Sequence, residues 1–318
     1  MSDVNSRVIR IGISSCLLGE RVRYDGNHKH DHYLSGTLGK VFHFVPCCPE
    51  VAIGLGVPRE PIRLEGDPRA PHAVGVRDKA NDVTIALEEY GSKVVNDSQE
   101  ISGFIFKSRS PSCGMAQVPV HQAHGAPRSG RGIFARTIIE SLPLLPVEEE
   151  SRLGEPKLRD NFLERVFALH RWQQHNHTRL TAARLIEFHT AHKLIIMAHR
   201  VEACRDLGRL VAKAGQTPIA EVGELYIAGF MAALKHLATT RRHTNVLHHL
   251  LGYLKKQLDS ADKVELLAII EQYRIGRLPL IVPITLLRHH FSRYPHPYVT
   301  GQLYLEPPPQ EQLLRSLT

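Results

Sequence analysis

Residues 103–114 read GFIFKSRSPSCG. The apolar run Phe104-Ile105-Phe106 reads as the end of a buried strand, and it breaks into Lys107, Arg109, three serines, Pro111 and Cys113, which cannot all be core. Side chains just past a strand are where an open α/β sheet keeps its chemistry. The same grammar occurs twice upstream. Residues 8–15 (VIRIGISS) run into Cys16, and residues 41–46 (VFHFVP) run into Cys47-Cys48-Pro49-Glu50. Three strand ends would then deliver three thiolates to one point.

With 318 residues and 42% hydrophobic content, the chain can form two domains, each with its own core, and no disordered class is indicated. It begins MSDVNSR, without a signal-like apolar stretch, and has no run of eighteen apolar residues, so a soluble, cytoplasmic protein with no membrane partner is expected. Five cysteines, an odd number, in a reducing compartment point away from structural disulfides and towards catalytic, metal-binding or plain buried thiols. The net charge of +8 is unevenly placed. Residues 1–155 carry 18 basic and 19 acidic side chains, leaving 22 against 13 for the rest. The basic excess of the second half is either a solvated helical surface or the footprint of a phosphate-bearing partner, a nucleotide or RNA.

After the first strand, residues 16–32 form a polar, glycine-punctuated loop, in which His28, His30 and His32 alternate as metal ligands could, without an obvious fourth. Tyr24 belongs to a turn that could line a pocket. A helix is expected over 34–40. Pro58 and Pro61 forbid a helix, so 51–66 is expected as an ordered loop whose Arg59 and Arg63 either shape the pocket or hold an anionic or carbonyl-rich substrate. An amphipathic helix over 81–95, entered through Asn81 or Asp82, leads into the GFIF strand as a βαβ unit requires. Residues 115–132 read as a mobile surface loop. A further helix and an edge strand follow, and 147–156, with three glutamates, Gly154 and Pro156, reads as the linker.

Beyond it the apolar spacing becomes helical, as in Leu185, Phe188, His192, Ile195 and His199. Thr181, Thr217 and Ser260 are expected N-caps. The fold class expected is therefore α/β, a Rossmann-like open sheet in an N-terminal domain of residues 1–150, followed by an all-α, basic C-terminal domain of residues 157–318 with five to seven helices. Histidine pairs such as His189 with His192, or His243 with His248 and His249, could ligate metal but more often face an interface or solvent. Arg241 to Asn245 with Lys255 and Lys256 is the better candidate for phosphate contact. Cys204 reads as packing.

Three thiols that converge could serve zinc or an iron–sulfur cluster, and no close Cys-x-x-Cys pair marks a zinc site. Buried small residues are the alternative for Cys16 and Cys113. Residues 14–29 (SSCLLGERVRYDGNHK), 48–50 (CPE), 57–61 (VPREP) and 107–114 (KSRSPSCG), in that order, resemble the thiouracil desulfurase family. Residues 188–199 (FHTAHKLIIMAH), 242–256, 273–290 and 298–309 resemble the YbgA-type domain often fused after it, for which no function is settled.

The resemblance implies a [4Fe–4S] cluster bound by three cysteines, Cys16, Cys48 and Cys113, with the fourth iron left for the sulfur of a thiolated pyrimidine base, nucleoside or nucleotide. Hydrolysis would replace carbon–sulfur by carbon–oxygen without net electron transfer. Glu50 matches the carboxylate that activates water, and Ser110 the serine that moves protons, with Ser108 and Ser112 as competitors. Lys107 and Arg109 would balance the cluster's charge. Neighbours on a strand face opposite ways, so only one of Cys47 and Cys48 can readily point at the cluster; the CPE match selects Cys48, although a swap of ligand is open. Two further readings remain: an enzyme moving sulfur on tRNA, and a cluster-bearing sensor that binds a partner and is no enzyme.

Overall fold

The computed structural model describes residues 8–97, 101–176 and 179–316. The opening heptapeptide, read above as lacking a targeting segment, lies outside the described residues. The backbone divides into two compact units, Met1–Gln173 and Gln174–Ser316. In chain order the first contains β1 (Ile9–Ser14), β2 (Phe42–Cys47), β3 (Ile62–Asp67), β4 (Ala70–Gly75), β5 (Ile101–Phe106), β6 (Val118–His121), β7 (Arg128–Gly130) and β8 (Val147–Glu149). Its helices are α1 (Pro49–Ala52), α2 (Thr84–Asp97), α3 (Ile133–Ser141) and all but the last three residues of α4 (Pro156–Asn176).

GFIF is the end of β5, every residue of which is buried, as a strand covered on both faces must be. It lies inside a parallel sheet of order β2-β1-β5-β8. Alternation places Phe104 and Phe106 on one face, their rings 4.2 Å apart, where both meet Phe134 of α3. Gly103 faces the other way, and a methyl group there would stand 2.8 Å from Val166 of α4. A helix layer thus covers each side. The chain winds to one side of β1 through β2 and then to the other through β5 and β8. That reversal opens a crevice beyond the carboxyl ends of β1 and β5.

Several local expectations are corrected. Residues 51–66 are not all loop, because β3 pairs with β4 as a hairpin, and residues 115–132 contain β6 and β7. These four strands form a second sheet, β4-β3-β6-β7, whose Leu64, Ala73, Val118 and Val120 pack with Leu87 of α2 and Ile133 of α3. The linker reading of 147–156 fails for its first half. There β8 extends the main sheet through pairs such as Phe106 with Glu149. The helix expected at 34–40 is a π turn, Tyr33–Thr37, followed by a 3₁₀ turn, Leu38–Lys40.

The second unit holds α5 (Ala182–His199), α6 (Val201–Ala212), α7 (Ile219–Leu234), α8 (Thr240–Leu254), α9 (Ser260–Arg274), α10 (Ile281–Arg293) and α11 (Pro309–Ser316). Its axis is α5, buried on one face through Leu185, Phe188, His192, Ile195 and Ile196 and on the other through Leu194 and Ala198, and packed against α6, α7 and α8. Thr181 caps it by accepting the Arg184 N–H at 3.3 Å. Two caps shift by one residue: Pro218, not Thr217, precedes α7, and Asp259, not Ser260, caps α9 through the Asp262 N–H at 2.8 Å. Among the described residues no helix is long and apolar enough to cross a membrane.

Candidate functional site

Cys16 lies in the 3₁₀ turn Ser15–Leu18 that follows β1, Cys48 is the residue entering α1 just after β2, and Cys113 follows β5 by seven residues. All three line one cavity of about 720 Å³ at the carboxyl ends of the parallel strands, together with Glu50 and Ser110. Burial pushes the Cys16 thiol up to about 11, with the charge of Cys48 adding to it and Arg23 and Lys107 opposing it. Burial likewise raises Cys48 and, well above the usual range, Cys113, which also feels Glu50, Cys16 and Cys48. The three thiols therefore lie within one another's field.

Cys47 also borders the cavity, and its thiol donates to the Val45 carbonyl at 3.7 Å. Burial pushes it up to about 11. Cys48 instead sits 3.7 Å from the Val22 carbonyl. The adjacent cysteines thus have different surroundings, as strand alternation predicts.

The loop carrying Cys113 is cross-linked along its length. The Lys107 N–H donates to Ser14 Oγ at 3.0 Å. Ser110 Oγ accepts the N–H groups of Ser112 at 3.2 Å and Cys113 at 3.1 Å, which leaves its own proton to donate. Between them Arg109 takes a left-handed conformation, φ 59°, uncommon for a residue with a Cβ. Ile133 and Ala135 in the first turn of α3 donate to the Pro111 and Ser112 carbonyls, so the loop caps that helix. The chain can pass this close only because residue 132 is glycine. A methyl group there would stand 2.6 Å from the Ser112 carbonyl. Gly132→Ala is expected to lower stability by about 1–3 kcal/mol, the range for overpacking, read as a lower urea midpoint. An unchanged midpoint would contradict this close approach.

The serines separate by position. Ser112 is fully buried and donates to Glu50 Oε1 at 2.9 Å. Ser108 donates to Glu150 Oε1 at 2.7 Å. Ser110 borders the cavity with its proton uncommitted by any described bond.

Glu50 is held from two sides. Arg59 donates to its Oε2 from Nε at 2.9 Å and from Nη2 at 2.7 Å, while Nη1 donates to the carbonyls of Val22 at 3.0 Å and Gly56 at 2.9 Å. Four of the five guanidinium N–H groups are thereby used, and the side chain is 5% exposed, so Arg59 orients the carboxylate and is not free to grip a substrate. A carboxylate has about four acceptor positions. With three taken, one on Oε1 is left beside the cavity. Arg63 pairs with Glu65 at 2.5 Å, away from the cavity lining.

The glutamates misread as linker are the residues sequence reasoning missed. Glu149 accepts the Met115 N–H at 2.7 Å, Glu150 accepts the Ser108 N–H at 2.7 Å, and Glu150 pairs with Lys107. A strand ending in carboxylates next to a sheet that already delivers three thiols was the available signal.

Among the described residues no three His, Cys, Asp or Glu groups are gathered closely enough to hold one metal ion. A four-iron cluster asks for something different, because each thiolate takes its own iron. Three soft donors spread round one cavity, with Arg23 and Lys107 near Cys16, fit that demand. Binding would have to displace the protons that burial keeps on the thiols, so loading should be favoured at higher pH. The other suggested ligands do not assemble. His30 and His32 meet edge to face on the surface, their ring centroids 4.5 Å apart, and His30 Nε2 lies 2.8 Å from Ser35 Oγ. His189 Nδ1 lies 3.2 Å from the Tyr226 hydroxyl, His192 bonds the Phe188 carbonyl, and His243 pairs with Tyr304. Burial, aided by Lys193, pushes His189 down to about 4. The basic groups Arg241-Arg242 and Lys255-Lys256 lie at opposite ends of α8, about 20 Å apart at 1.5 Å per residue, and so are two features. Cys204 is buried, 3.8 Å from the Lys193 carbonyl, as packing would have it.

A family model described as 2-thiouracil desulfurase matches residues 11–150, and one described as a protein of unknown function (DUF1722) matches residues 193–309. The chain is 35% identical over 148 residues to the uncharacterized protein YbgA of Escherichia coli (strain K12), covering 46% of this chain and 88% of that one. It is 32% identical over 129 residues to the uncharacterized protein YbbK of Bacillus subtilis (strain 168), covering 39% and 85%. A solved structure, a [4Fe-4S]-dependent thiouracil desulfidase TudS, is similar at 30% identity over 46% of this chain and 94% of that one, with a TM-score of 0.37.

Proposed function

From the premise that the chain belongs to the 2-thiouracil desulfurase family through residues 11–150, with a DUF1722 domain at 193–309, we propose that it hydrolyses the C–S bond of a thiolated pyrimidine. The product is the oxo pyrimidine, with sulfide released. The observation that carries this reading is the meeting of Cys16, Cys48, Cys113, Glu50 and Ser110 on one cavity at the strand ends.

Cys16, Cys48 and Cys113 hold a [4Fe–4S] cluster in this reading. When bound, a cluster ligated by three thiolates supplies one iron with an open position, a soft Lewis acid matched to a thione sulfur. Glu50, held by Arg59 and Ser112, uses its remaining acceptor position to take a proton from the water that attacks the thione carbon. Ser110, its oxygen fixed by two backbone N–H groups, passes a proton at the substrate. The carbon–sulfur bond breaks as carbon–oxygen forms, the two protons of water leave with the sulfur, and no electrons are exchanged. Lys107 is saturated by Ser108 and Glu150 and acts as a fixed positive charge near Cys16. The basic excess of the second half is read as the footprint of a phosphate-bearing partner, a nucleotide or RNA.

The test is anaerobic. The full chain with reconstituted cluster is given 2- and 4-thiouracil, their nucleosides and nucleotides, and thiolated tRNA, and sulfide is measured. Release from one of these classes is expected, and comparison of nucleotide with tRNA places the substrate. A fully loaded cluster that liberates no sulfide from any of them would sink the desulfurase reading and favour the sensor.

A further inference from the structure

We infer that Glu149 and Glu150, at the end of β8, are positioning residues that clamp both arms of the Cys113 loop and so set the placement of Cys113 and Ser110. This rests on the desulfurase reading for its consequence in turnover, but the clamp itself stands on geometry. On the leading arm, Glu150 accepts the Ser108 N–H at 2.7 Å and the Ser108 hydroxyl at 2.7 Å, and forms an ion pair with Lys107. On the trailing arm, Glu149 accepts the Met115 N–H at 2.7 Å, and Arg131 Nε holds the Met115 carbonyl at 3.0 Å. Cys113 and Ser110 lie between these anchor points.

The position of the two carboxylates is unusual for a strand end. Glu149 is 6% exposed and the Glu150 side chain 12%. Carboxylates removed from water at such a place are tolerated only when hydrogen bonds replace the lost hydration, and here most of the replacements come from the one loop. Glu148 is turned elsewhere, towards Arg152 at 2.7 Å. The Lys107 ammonium has three donors, and all three are used, on the Ser108 carbonyl, the Ser108 hydroxyl and Glu150. It therefore serves the clamp and cannot act as a proton donor without breaking it. The loop has reason to need holding: it carries the left-handed Arg109, a conformation that neighbouring structure must enforce.

Glu150→Ala, Glu150→Gln and Glu149→Gln in the full chain test this. Before cluster loading, amide hydrogen exchange at Ser108 should quicken at least about tenfold in Glu150→Ala, as loss of a charge-assisted hydrogen bond implies, while β1 and β5 amides keep their protection. After loading, iron should pass to a chelator several-fold faster, and the electron paramagnetic signal of the reduced cluster should broaden or shift. Glu150→Gln keeps an acceptor for Ser108 but loses the charge opposite Lys107, and should fall between. Glu149→Gln should loosen Met115 and not Ser108. Unchanged Ser108 exchange and unchanged iron release in Glu150→Ala would overturn the clamp. Wild-type protein that holds its cluster yet releases no sulfide would fail the desulfurase reading alone, since exchange and iron release still report on the clamp.

Discussion

Cys113→Ala is expected to abolish stable cluster loading, whereas Cys47→Ala leaves it near wild type. Cys113 is the most enclosed of the three thiols and lies within the field of Cys16 and Cys48. Its loop is fixed by Ser110, by the first turn of α3 and by the end of β8. The other described thiols are engaged elsewhere, Cys47 with the Val45 carbonyl at 3.7 Å and Cys204 with the Lys193 carbonyl at 3.8 Å. Two remaining thiolates would have to carry a cluster that the proposed site holds by three. Visible absorbance, iron and acid-labile sulfide after anaerobic reconstitution measure the outcome. Full loading of Cys113→Ala, or loss of loading in Cys47→Ala, would move the ligand set.

Glu50→Gln is the second large effect, and it should separate loading from turnover. The amide is nearly the same shape, and its oxygen can still accept from Arg59 while its NH₂ meets Ser112, so the fold around it survives with little adjustment. What vanishes is the ability to take a proton. Sulfide release is expected to fall by about 10²- to 10⁴-fold, the usual worth of a general base, with cluster content and spectrum kept. The check is turnover per loaded cluster. Near-normal turnover would remove Glu50 from the chemistry and leave its clamp by Arg59 and Ser112 as a structural feature.

Much of this arrangement was legible because strand grammar is local. Apolar runs that end in Cys16, Cys48 and Cys113 announce strand ends, and the carboxyl ends of parallel strands share one edge wherever the chain closes its sheet. Side-chain partners were not legible, because they depend on register between distant segments. Arg59 looked like a substrate clamp, and only its approach to Glu50, Val22 and Gly56 revealed a different task. The run Glu148-Glu149-Glu150 has the composition of a linker, and its burial follows from pairing with β5, which no local pattern displays. The hairpins of the second sheet escaped for a related reason. Prolines at 58 and 61 and glycines at 125, 130 and 132 punctuate short strands, and turn chemistry outweighed strand chemistry in the reading. In the helical half, hydrophobic spacing showed the elements, while the histidines that suggested metal proved committed to Tyr226, Phe188 and Tyr304.

The Mössbauer spectrum of the anaerobically loaded chain, taken with and without 4-thiouracil, tests the three-thiolate site most directly. The account predicts a four-iron cluster in which one iron differs from the other three and alone changes when the thiopyrimidine is added. Four equivalent irons with no response to the thiopyrimidine, or no cluster at all, would contradict it.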